Sequence, residues 1–189
     1  PVPMKFGKVK LSDLKMETFE ADPDASVVIL GDYGTVDFSL ERQYTEFRRH
    51  TRIKILKKAG FDWADINIRY YDSGGAVSQI KAITYTLEGE KIVEHKLNKK
   101  TIVDEKIVKG YSQKKISMPG VKEGAIIEYS YTVTSQSYYI PTWYFQSSEP
   151  ILHSEFRVKI PKYYIYADYY EGTQLLSLNT SENYSETEM

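Results

Sequence analysis

Two stretches of the chain alternate between apolar and polar residues with a period of two. In "AIIEYSYTV", Ile127, Tyr129, Tyr131 and Val133 fall on one side and Glu128, Ser130 and Thr132 on the other. In "LHSEFRVKI", Leu152, Phe156, Val158 and Ile160 oppose His153, Glu155, Arg157 and Lys159. Successive strand side chains point to opposite faces, so both stretches read as strands with one face buried and one wet. "QYTEFRRHTRIKILKK" follows the same rule. Phe47, Thr51, Ile53 and Ile55 share a side with Arg49, while Arg48, His50, Arg52 and Lys54 share the other. At helical spacing these apolar residues scatter, so a strand with one basic face is expected. That face is either a solvated outer surface or an anion-binding one.

Shorter runs surround these three. "SVVILGDYGTVDFSL" reads as two strands joined at "GDYG", a hairpin with a glycine-rich turn. "GFDWADINIRYYDSGGAVSQIKAITYTLEGEKIVEHKL" breaks into short strands at Asp-Ser-Gly-Gly and at "EGE", and "TIVDEKIVKGYSQKKISMPGVKEG" adds two more. Before them, "LSDLKMETFEADPDAS" offers a short helix capped by Ser12, seated by Leu11, Leu14 and Phe19 and ended at Asp22–Asp24. About a dozen short strands without intervening helices predict an all-β fold, an antiparallel β-sandwich with a short N-terminal helix or arm. The expected layout is one domain over residues 1–170, its arm over 1–25, and a polar, acidic, frayed tail over 171–189.

Composition narrows the chemistry. The 189 residues suffice to bury about 70% of the unfolded chain's surface, so neither metal nor disulfide is needed to fold. A net charge of −1, with acids and bases interleaved, argues against a nucleic-acid partner. The absence of cysteine removes disulfide frameworks, cysteine-containing zinc sites and thiol nucleophiles. No apolar run approaches the ~20 residues of a membrane span. The opening "PVPMKFGKV" lacks a starting methionine, as removal of a signal sequence or a trimmed boundary would leave it.

No catalytic constellation stands out. His50, His95 and His153 are far apart in sequence and are expected as exposed strand histidines, with no His-x-His or Glu-x-x-His spacing to suggest a metal. "GDYG" and "SGG" are not phosphate cradles, and no Gly-x-Ser-x-Gly elbow occurs. No cofactor is implied. The sequons at Asn179 and Asn183 matter only in a glycosylating host.

The aromatic residues are the remaining signal. There are 17 tyrosines. Tyr138, Tyr139, Trp143, Tyr144 and Phe145 cluster around Pro141, and "YYIYADYY" follows at Tyr163–Tyr170, with tyrosine on both faces if it is a strand. Packing inside the sheet explains such a block. So does an exposed platform for sugar rings or peptides, with Tyr138, Tyr139, Trp143, Tyr164, Tyr166 and Tyr170 as ligand contacts.

Taken in order, "MKFGKVKLSDLKMETFEADPDASVVILGDYG", "RIKILKKAGFDWADINIRYY", "IKAITYTLEGEKIVEHKL", "VKEGAIIEYSYTVTS" and "PTWYFQSSEPILHSEFRVKIP" resemble the uncharacterised β-sandwich domain at the N-terminus of Bacteroidetes-type transglutaminase-like proteins. The resemblance covers about Met4 to Tyr170. It implies an exported, periplasmic or otherwise extracytoplasmic protein whose downstream papain-like core supplies Cys, His and Asp. None of those roles transfers to a chain without cysteine. The implied role is a non-catalytic accessory domain that positions the core or presents polypeptide to it. The alternative is an independent glycan- or peptide-binding module.

Overall fold

A computed structural model describes residues 4–39, 41, 43–167, 169–172 and 176–182. Asn183 and much of the tail expected to fray lie outside the described residues. The elements in order are α1 (Leu11–Leu14), β1 (Val27–Ser39), β2 (Tyr44–Ile55), β3 (Asp65–Tyr71), β4 (Ala76–Glu88), β5 (Lys91–Lys96), β6 (Val103–Val108), β7 (Tyr111–Ser117), β8 (Ile126–Ser135) and β9 (Ser154–Lys159). Short 3₁₀ turns cover Lys58–Ala64 and Lys99–Thr101. Six strands form the main sheet in the order β5-β4-β8-β2-β1-β9, and three form a smaller one, β3-β7-β6. The chain is an all-β sandwich. Every pairing is antiparallel except β1 with β9, which run parallel.

The "EGE" and "DSGG" breaks are turns, with Gly89 at φ 61° and Gly74 at φ 71°, backbone that L residues rarely adopt. "GDYG" is not a turn. β1 runs straight through it as one 13-residue strand, with a bulge between Ile29 and Gly31. Neither Gly31 nor Gly34 has positive φ, and each leaves room for a neighbouring ring instead. Ser12 lies within α1, whose N-cap is Lys10 without a side-chain cap.

The main sheet is covered on both faces. On its inner face Val27, Ile29, Ile53, Ile55, Ile127, Tyr129 and Tyr131 meet Ile66, Ile68 and Ile116 of the smaller sheet. On its outer face the N-terminal arm lies across the strands. Leu14 packs with Tyr85 and Ile126, and Met16 and Phe19 pack against Ala25, Val28 and Leu56. The polar row of β8 and the basic row of β2 are therefore only partly wet. Glu128 and Lys54 are wholly buried, and Arg52 is nearly so. This corrects the expected solvated basic face, and it leaves no row of free cations for an anion. Arg48 pairs with Asp37 and Glu46, and Arg52 and His50 meet Glu128. Lys54 donates to the carbonyls of Leu14 and Gly124.

The lysine-rich segment near residue 100 becomes β6, an edge strand whose side chains are almost all exposed. Charge on an edge discourages unwanted pairing.

Candidate functional site: an aromatic cover and a buried ion cluster

The smaller sheet is three strands wide and the main sheet six. The inner surface of β1 and β9 is met by the aromatic stretch instead. Ser154, Phe156 and Val158 of β9 lie in register with Asp32, Gly34 and Val36 of β1. Trp143 lies flat on this surface, stacked on Phe156 at 5.1 Å and 7°. It meets Phe47 edge-on, and its indole N–H donates to Ser154 Oγ at 3.0 Å. A Cβ on Gly34 would stand 2.5 Å from Trp143 Cζ3 and 2.8 Å from Phe156 Cδ2. Gly34 is thus the seat of the indole. Gly34→Ala should cost about 1–3 kcal/mol by overpacking, measured by equilibrium unfolding.

Above Trp143 sits the Arg49 guanidinium, 5.0 Å from the ring centroid. Arg49 makes two hydrogen bonds to buried Asp32, at 2.9 and 2.6 Å, and Thr51 Oγ1 donates to the same carboxylate at 2.7 Å. Burial alone would favour a neutral guanidinium, but the Asp32 hydrogen bonds, together with the charge of Asp32 and the neighbouring Tyr129 and Tyr131 phenols, raise its pKa on balance. The neighbouring Tyr131 phenol is pushed by burial up to about 12, against the lowering charge of Arg49.

A second aromatic group forms around Phe38, at the end of β1. Tyr138 stacks on it at 6.3 Å and 8°, Tyr164 lies at 5.8 Å and Tyr166 meets it edge-on at 5.7 Å. Tyr166 Oη donates to the Tyr138 carbonyl at 2.8 Å. Tyr138 has φ 41°, and hydrogen bonding with Tyr138 raises the Tyr164 pKa. The described part of residues 163–170 forms no strand, so tyrosines on "both faces" have an ordinary cause. Tyr164 and Tyr166 turn in to cover Phe38, while Tyr163 and Tyr169 are 67% and 83% exposed.

The structure thus divides the six sequence-derived contact residues. Tyr138, Tyr164 and Tyr166 gather around Phe38, and Trp143 joins a separate packed cluster. Tyr139 and Tyr170 remain largely exposed, with Asn179 Nδ2 donating to the Tyr170 hydroxyl at 3.3 Å. Phe38, Gly34, Arg49 and Asp32, which complete these clusters, do not stand out in the sequence as members of such a site. Arg49 carried one signal: it is the basic residue on the apolar side of β2.

The second assembly lies under the N-terminal arm. Glu128 Oε1 accepts from Arg52 Nη2 at 2.6 Å and lies 2.9 Å from His50 Nε2. Its Oε2 accepts from Tyr85 Oη at 2.8 Å and from the Gly7 N–H at 2.9 Å. Burial would raise the carboxyl's pKa, but hydrogen bonds from His50 and Gly7 and the charge of Arg52 hold it below the usual range. His50 is therefore half-buried against this carboxylate, not an exposed strand histidine. His95 is half-buried, 3.0 Å from Thr86 Oγ1, and His153 alone is exposed. Among the described residues no group of three His, Asp or Glu side chains could hold a metal.

Burial pulls the Lys54 ammonium down to about 8, against the raising charges of Asp13 and Glu17. The charged form is thus penalised in the fold. That penalty is present below pH 8 and is relieved between pH 8 and the ordinary lysine range near 10.5. Buried Tyr85 and Tyr131 act the other way, because their raised pKa values stabilise the fold below pH 10 and that stability is lost above it. Stability should therefore rise by up to about 2 kcal/mol from pH 7 to about 9.5 and fall once the tyrosines titrate in the unfolded chain above pH 10. Chemical denaturation at half-unit pH steps measures this, and Lys54→Met should remove the rising limb.

Two open concavities lie elsewhere on the described surface. One of about 250 Å³ lies beside Phe6, Ile80, Lys81 and Leu97, and one of about 430 Å³ beside Asp65, Asn67, Val103 and Lys115. Neither is lined by an aromatic contact residue named above.

Residues 42–188 match a family described as "Domain of Unknown Function with solved-structure structure (DUF3857)". The chain belongs to that family. The DUF3857 chain also superposes on a solved structure of a "putative protease" from Parabacteroides distasonis ATCC 8503, with a TM-score of 0.59 and 13% identity. The match covers 73% of this chain and 29% of that one, and identity at this level speaks for the fold alone. No curated protein matches the DUF3857 chain. No helix among its described residues is long and apolar enough to cross a membrane.

Proposed function

We propose that this DUF3857 domain is a non-catalytic accessory domain of an exported transglutaminase-like protein, related to papain-like cysteine proteases. It positions the downstream core or presents polypeptide to it. The observation that carries the reading is the two-sided character of the aromatic stretch. One side is consumed in packing on Phe38, Gly34 and Phe156. The other leaves Tyr139, Tyr163, Ile165, Tyr169 and Tyr170 between 54% and 99% exposed. Large apolar groups concentrated on one segment mark a surface that another body covers. The fold's likeness to part of a longer chain described as a protease supports the same reading, as does the lack of a thiol.

The test uses the complete gene product beside the 189-residue chain. Amide hydrolysis or transamidation is expected in the former and not in the latter. Replacing Tyr163, Tyr169 and Tyr170 together by Ser should speed proteolytic cutting between the two parts several-fold without lowering the domain's own unfolding midpoint. A reading frame with no cysteine-protease-like core, or amide turnover by the 189 residues alone, overturns the proposal.

The same exposure favours a second reading, an independent module whose tyrosines bind glycan or peptide. Saturable binding of an oligosaccharide to the isolated domain, lost in the triple Ser variant, would select it.

A further inference from the structure

The outer face of the main sheet carries three charged side chains that are buried although they line no catalytic pocket: Glu128, Arg52 and Lys54. Each points at main-chain atoms of the N-terminal arm. Glu128 accepts the Gly7 N–H at 2.9 Å, Arg52 donates to the Lys5 carbonyl at 3.1 Å and Lys54 donates to the Leu14 carbonyl at 2.6 Å. Arg52 Nε is buried without a partner, so this donor set is not saturated by the arm. Side-chain recognition is concentrated in a few anchors. Phe6 lies over His50 at 5.4 Å with Lys81 5.9 Å from its ring, and Leu14 fills the space between Tyr85 and Ile126. Around them Lys8, Lys10 and Ser12 are exposed.

We infer that this face is a polypeptide-binding groove, and that residues 4–16 are a tethered ligand occupying it. Buried charges that read a main chain bind a peptide by its backbone, with the apolar anchors setting register. The ligand class is a polypeptide segment with an aromatic residue directly before a glycine and a leucine seven positions after that glycine. Gly7 has φ 81°, so the glycine is part of the requirement. The tether raises the local concentration of the arm to about the millimolar range, which keeps the groove closed in the free domain. This inference stands apart from the accessory role, because it involves the opposite face of the main sheet from the aromatic cover.

The probe is a fluorescent synthetic peptide of residues 4–16. Anisotropy titration against the full chain should show binding at least about tenfold tighter to a Phe6→Ala/Leu14→Ala chain than to the wild type, because the weakened tether vacates the groove. A peptide with N-methylglycine in place of Gly7 should bind about tenfold more weakly, having lost the donor to Glu128. If the double variant does not fold, a protease site introduced into the exposed turn at 20–24 of the native arm replaces it. After cutting, the arm should leave on dilution and the labelled peptide should take its place saturably. Unfolding of the sandwich on cutting, failure of the peptide to exchange, or equal affinity of the N-methylated peptide would overturn the inference.

Discussion

Glu128→Ala should destabilise the domain by about 3–5 kcal/mol, the cost of leaving a buried ion without its partner. Four groups converge on this carboxylate, from β2, β4 and the arm. Arg52 would suffer most, since it is almost fully buried and its other contact is the Lys5 carbonyl. The stranded-charge explanation has a check of its own. Adding Arg52→Met to Glu128→Ala should cost far less than the sum of the two single changes, as interacting partners require. The pH response follows from the lowered carboxyl pKa. Stability from Glu128 is fully present above its unfolded value near 4.5 and is lost as pH falls through the lower folded value. Urea midpoints between pH 6 and 2.5 should therefore drop more steeply for the wild type than for Glu128→Gln. Parallel curves would assign the acid limb to other carboxylates.

Trp143→Ala should cost about 3 kcal/mol, the low end for removing a packed aromatic, because Trp143 is only partly buried. The loss includes the stack on Phe156, the edge contact with Phe47, the cation above the ring and the hydrogen bond to Ser154. Removal also uncovers the Arg49–Asp32 pair. In a Trp63→Phe background, Trp143 emission should resist acrylamide quenching in the folded domain and lose that protection on unfolding. Replacing Tyr139 should change stability by no more than about 0.5 kcal/mol, since it stands in solvent.

The alternation in β8, and in β9 from Phe156 on, was legible because period two admits few alternatives, although Leu152, expected on the buried side, precedes β9 and is exposed. The turns at Gly74 and Gly89 were legible because glycine at such breaks signals positive φ. In β1 the same signal misleads. Gly31 and Gly34 look like a turn in sequence, yet they are there to let the Tyr33 and Trp143 rings lie against the strand. Glu128 and Lys54 fell on the expected wet face, and only the arm crossing that face buries them. That crossing joins residues more than a hundred positions apart, as Gly7 and Glu128 are, and local pattern carries no trace of it. Likewise the aromatic stretch disclosed that it was aromatic, but not which tyrosine turned inward. That depended on where Phe38, at the end of β1, and Phe156, opposite Gly34 in the parallel β1–β9 pair, come to lie.

The most direct test of the accessory-domain account is hydroxyl-radical footprinting of tyrosine, on the 189-residue domain alone and within the longer gene product. The account predicts rapid modification of Tyr139, Tyr163, Tyr169 and Tyr170 in the isolated domain and strong protection of that set when the downstream core is attached, with Trp143 and Tyr164 slow in both. Equal modification of the exposed set in both proteins would mean that no core covers this surface, and would contradict the account.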